Sequence, residues 1–148
     1  MTVSQDKLLT LLNDLLETCY DALEGLRTAA STVTRPEAIM LCQSRAQRVD
    51  EEAAELYTAI RQRGGQPADH GHPQARVHRG WIHLRAAVAQ HSDDAVLAEV
   101  ERGEEEAARR YRRALEHALP EDIHDLIADQ LAAIEESITQ TRAVRESA

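Results

Sequence analysis

LAEVERGEEEAARRYRRAL, residues Leu97 to Leu115, decides how the chain is read. Leu97, Val100, Ala107, Ala108 and Tyr111 recur at helical steps and mark one apolar face. Charged residues fill the opposite face, where Glu105–Arg109 and Glu106–Arg110 are spaced to lace a solvated surface. Glu104 breaks this division. Stepped at about 100° per residue, it falls within about 20° of the centre of the apolar face. An isolated carboxylate there is costly, so it must be paired, hydrogen-bonded, protonated or near water. Arg45 and Tyr111 are partners the sequence offers.

Working outward, every other segment also reads as helix. Ser4 can cap a first helix of roughly 27 residues that points Leu8, Leu12, Leu15, Cys19, Ala22, Leu26 and Ala30 inward. A second stripe, Leu9, Leu16, Tyr20 and Leu23, makes that face wider than one core needs. Thr34, Pro36 and Glu37 form a capping start for a second helix. It carries Ile39, Cys42, Ala46, Val49, Ala53, Leu56 and Ile60 inward and stops at Gly64–Gly65. GGQPADHGHPQA, residues 64–75, is the one long loop. Helix resumes near Arg76, with Val77, Trp81, Leu84 and Val88 on one face. It breaks at HSDD, residues 91–94, where Ser92 is a fresh N-cap, and runs on to His117. Pro120, near the first helical position, opens a last helix bearing Ile123, Ile127, Leu131, Ile134, Ile138, Thr141 and Val144. Strand signals are absent. The spacing predicts an all-α fold, a single domain over 1–148, with four long helices and the third interrupted. The one long connection, between the second and third helices, makes this the ferritin-like four-helix-bundle topology.

Bulk properties narrow the function. Of 148 residues, 26 are acidic and 17 basic, a net charge of −9 with no basic cluster, which argues against a nucleic-acid partner. No apolar run approaches the roughly 18–20 residues that span a bilayer, and MTVSQDKLLTLLNDLL lacks a basic leader, so a cytoplasmic protein without a membrane partner is expected. Cys19 and Cys42 lie on apolar faces of consecutive helices. Counted from a turn near Val33 they are offset by roughly 7 Å along the axis, too far for a relaxed disulfide. Two reduced, buried thiols are expected.

VHRGWIHLRAAV, residues 77–88, followed by the Leu97–Leu115 segment, resembles a bacterial ferritin-like four-helix-bundle family of unknown function. Its members carry an H-R-G-W segment after a Gly-rich loop, then an E-C-E-R-G-E-D-like segment. His78, Arg79, Gly80, Trp81, Glu101, Arg102, Gly103 and Glu104 match these positions, and Val100 stands where the family often has Cys. LNDLLE, residues 12–17, and GLRTAA, residues 25–30, match as well, and the similarity covers nearly the whole chain. In the terminal helix Ile138 replaces an expected His. The resemblance implies the fold, a bacterial cytoplasm, and an ancestry in which metal chemistry is possible.

A di-iron site of that kind needs one inward Glu on each of two helices and an inward Glu-x-x-His on each of the others. Its candidates here are Glu17, Glu52, Glu101, Glu104 and Glu135. Glu17 falls about 160° from its apolar face, Glu52 and Glu135 about 90–100°, and Glu101 about 80°. Neither His is present: Glu52 leads to Glu55, and Glu135 to Ile138. No cofactor is therefore expected; iron or another divalent metal at a degenerate core site is the alternative. Asp69, His70 and His72 with His78 could gather a surface metal, but short His-x-His spacing on a loop is a weak signal and they read as solvated loop residues. Trp81 reads as a core plug, with a small-molecule site near Glu104 and Trp81 the weakest reading. The leading expectation is a non-enzymatic bundle acting through association, as a homodimer through Leu9, Leu16, Tyr20 and Leu23 or with another protein.

Overall fold

In a computed structural model the described residues are 1–69, 81 and 83–147. They form helices α1 (Gln5–Thr32), α2 (Pro36–Gln62), α3 (Leu84–Ala89), α4 (Asp93–Leu115) and α5 (Glu121–Glu146), with no strand among them. Ser4 caps α1 by accepting from the Lys7 N–H, and Ser92 caps α4 by accepting from Ala95. At the end of α2 the Gly65 N–H reaches back to the Ile60 carbonyl, with Gly64 at φ 78°, a conformation glycine adopts without a Cβ penalty.

The contacts at the two ends fix the topology. At one end Asp93, opening α4, accepts hydrogen bonds from the Thr34 and Arg35 backbone N–H groups, where α1 ends and α2 begins. Arg35 there also donates to the Val144 carbonyl near the end of α5. At the other end Arg63 pairs with Asp122, and the Val3 N–H donates to the Ala118 carbonyl. Thus α1 and α2 form one antiparallel hairpin and α4 and α5 another, while α2 and α4 run parallel. The chain between α2 and α4 must therefore return along the length of the bundle.

Its first part lies on α1. The Asn13 side chain donates to the Gln66 carbonyl and accepts from the Ala68 N–H, and the Tyr20 hydroxyl donates to the Ala68 carbonyl. Gly65 abuts Leu9 so closely that an added Cβ would stand 2.6 Å from its side chain. Leu16, Tyr20 and Leu23 are buried within this one chain, and Leu9 is half-buried. The second stripe of α1 is thus covered intramolecularly, which removes the exposure that motivated a helix-one dimer.

Other local expectations also change. Thr34 is not the cap of α2: the N-cap position is Arg35 without a side-chain cap bond, and Asp93 supplies the acceptor instead. Trp81 precedes the first turn of α3 rather than riding on a helix, α4 ends at Leu115 instead of His117, and Pro120 is the N-cap residue of α5. The expectations for His70, His72, His78, Arg79 and Gly80 lie outside the described residues. Among the described residues, no helix is long and apolar enough to cross a membrane.

Candidate functional site

The core is apolar around a polar centre. Leucines, isoleucines, valines and alanines of all four long helices pack together, with Leu84 of α3 among them. At mid-length, polar side chains from the four long helices meet inside. Arg45 of α2 donates from Nε to Oε2 of Glu104 in α4 at 2.9 Å, and from Nη1 to Oε1 of Glu52 in α2 at 3.3 Å. Glu104 is 0% exposed and Glu52 1%. Glu104 thus pairs with Arg45, one of the two partners the sequence offered.

The network continues through neutral groups. Tyr111 of α4 donates to Oε1 of Gln130 in α5 at 2.7 Å and lies 3.4 Å from the Cys19 thiol of α1. Tyr111 therefore serves Gln130, not Glu104. The Gln130 amide donates to the Glu52 carbonyl and to the Glu55 carboxylate, tying α5 to α2. Cys19 and Cys42 are both free and buried, and burial pushes each thiol up to about 12. Neither is a ready nucleophile.

Electrostatics favour the guanidinium in this centre. Burial pulls the Arg45 pKa down, but Glu104 and Glu52 outweigh it and hold it above the ordinary value. Burial dominates at Glu52 and raises its carboxyl to about 7, against the pull of Arg45 and Arg48. One oxygen of each acid, Glu104 Oε1 and Glu52 Oε2, is buried without a hydrogen-bond partner, although the Arg48 Nε approaches the latter to 3.5 Å.

The remaining acids are dispersed. Glu101 pairs with Arg142 and Arg145 of α5, which hold its carboxyl below the ordinary range although partial burial opposes them. Glu135 is exposed and pairs with Arg112, and Glu17 is half-buried on α1. Of the five acids considered for metal, only Glu52 and Glu104 come together, and they do so around Arg45. Glu52 is also not the boundary residue expected. The buried side of α2 includes Ala38, Arg45, Glu52 and Ala59, a seven-residue series beside the expected stripe, whereas Ile39 is only half-buried. Gln130 was missed altogether; its one signal is its place next to Leu131 on the inward side of α5.

A second construction joins the segments that carry the family resemblance. Trp81 is 7% exposed, and its indole lies against Gly25 of α1 and Gly103 of α4. A Cβ on either glycine would stand 2.5 Å from the ring. The gap beside it, bounded by Thr18, Asp21, Gly103 and Arg110 among others, is about 10 Å³, enough for a water at most. Trp81 is thus the plug that the sequence suggested.

Residues 7–117 match the family described as Domain of unknown function (DUF2383), and the chain belongs to that family. The match covers α1 to α4 and leaves α5 outside. No curated protein matches the chain.

Proposed function

We propose that the chain is a non-enzymatic, ferritin-like helical bundle that acts through association, as a homodimer or with a partner protein, and that its core is held by an internal cation instead of a metal. The parallel run of α2 and α4 with one long return between them supports the ferritin-like reading. The observation that carries the function is the position of Arg45. Its guanidinium lies between the two acids that the bundle brings to its centre. A divalent ion there would have to displace that charge or sit against it. Both carboxyls are sealed beneath packed side chains, so a substrate reaches neither without opening the bundle.

With the α1 stripe covered by its own chain, association falls to outer surfaces. Met40 and Tyr57 of α2, 66% and 44% exposed, are the large apolar side chains most open to solvent among the described residues beyond Met1.

The metal half of the proposal is tested by incubating purified protein with ferrous iron under air. Less than one iron per chain and no fast oxidation phase are expected. Two tightly held metals per chain, lost on Glu104→Ala, would overturn it. His70→Ala with His72→Ala is the control for binding at the loop. Sedimentation of wild type and Met40→Glu with Tyr57→Glu tests the other half: self-association should weaken in the variant.

A further inference from the structure

The central cluster is unbalanced by construction. Two carboxyl groups are enclosed, and one guanidinium is enclosed with them. Arg45 does not serve both equally: its contact with Glu104 is 2.9 Å, and that with Glu52 is 3.3 Å. Among the described residues, the other cation paired with Glu52 is Arg48, 3.5 Å away, with a side chain 45% exposed to solvent that screens it. Facing Glu52 are Arg45, Arg48 and Glu55 from α2, the Cys19 thiol from α1, Glu104 and the Tyr111 hydroxyl from α4, and the neutral Gln130 from α5. Glu55, bridged to the same Gln130 amide, adds repulsion. Glu52 Oε2 has no hydrogen-bond partner, so a proton there takes no acceptor from another donor.

We propose that the bundle core is a proton-binding site: Glu52 holds a proton around neutral pH, and its release leaves an unmatched buried charge that loosens the packing of α2 against α4 and α5. The sign follows from linkage. A carboxyl whose pKa is higher folded than unfolded adds stability fully present below the unfolded value and lost as pH rises through the folded value. For Glu52 that window runs from 4.5 to about 7. The device makes this acidic protein tighter in mild acid than at alkaline pH, opposite to the usual behaviour of paired surface carboxylates.

This rests on the reading of the cluster as metal-free, so the experiment uses full-length protein treated with chelator; metal binding would show separately in the iron titration. Glutamate side-chain carboxyl carbons are followed by NMR from pH 5 to 9 in wild type, Glu52→Gln and Glu104→Gln. One resonance should titrate near pH 7, vanish in Glu52→Gln, and move to lower pH in Glu104→Gln, where Arg45 has only Glu52 to serve. Between pH 5 and 8 the wild-type folding equilibrium constant should fall on the order of fiftyfold relative to that of Glu52→Gln. If Glu52→Gln does not fold, the wild-type titration and its shift in Glu104→Gln still decide. Every glutamate titrating below about pH 5.5 would overturn the proposal, as would parallel stability profiles for wild type and Glu52→Gln.

Discussion

Trp81 rests against two glycines, one from each of two helices, and neither has room for a methyl group. Glycine inside a helix ordinarily costs about 0.5–1 kcal/mol relative to alanine. Here the sign should reverse. Gly103→Ala must push a rigid ring off its seat, an overpacking cost of about 1–3 kcal/mol. Chemical denaturation should show that loss, and the fluorescence of Trp81, the chain's one tryptophan, should report a more exposed ring. In a Trp81→Leu background the same change should become neutral or stabilising; an equal loss in both backgrounds would assign Gly103 some other role. At this scale the sequence was legible where a residue contradicted its surroundings. Glu104 stood alone among apolar neighbours and so announced a partner. Glu52 did not, because Arg45 beside it on the same face reads as surface. A charged pair buried inside a protein looks, in sequence, like two charges in water.

Helices here borrow their ends and flanks from one another. The start of α2 has no side-chain cap of its own and uses Asp93, the first residue of α4. Slight burial works against that carboxylate, but hydrogen bonds from Arg35 and Thr34 prevail and hold its pKa below the ordinary 3.8. Asp93→Ala should cost about 0.5–2 kcal/mol at neutral pH, as lost caps do. A depressed carboxyl contributes stability above its unfolded pKa and loses it as pH falls through the folded one. The gap between wild type and Asp93→Ala should therefore be constant above pH 5 and close below 3.8. Urea midpoints at several pH values check this; a gap that persists in strong acid would refute the cap. The helices themselves were legible from period and caps, Ser4 and Ser92 included. Thr34 was misread because a cap from a distant helix leaves no local trace.

At the scale of the whole molecule, the wide apolar face of α1 serves the chain's own return segment through Asn13, Tyr20 and Leu9. Sequence showed that the face was too wide for four helices and could not show what covered it, since the covering segment is a Gly- and Pro-rich loop without periodicity. Leu16 and Leu23 are 0% and 2% exposed. Leu16→Glu with Leu23→Glu should accordingly unfold the protein, with helical circular dichroism lost, instead of releasing a folded monomer from a dimer. A helical, soluble monomer of that variant beside a dimeric wild type would restore helix one as an interface. The central claim concerns Arg45, the cation on which both buried acids depend. Arg45→Met removes it and strands two enclosed carboxyls, a loss of about 3–5 kcal/mol. Adding Glu52→Gln and Glu104→Gln removes the stranded charges and should recover most of that loss. The decisive measurement is the unfolding free energy of wild type, Arg45→Met and the triple variant at pH 8. A large loss regained in the triple variant is the predicted result; an Arg45→Met protein as stable as wild type, or a triple variant no better than the single one, would contradict it.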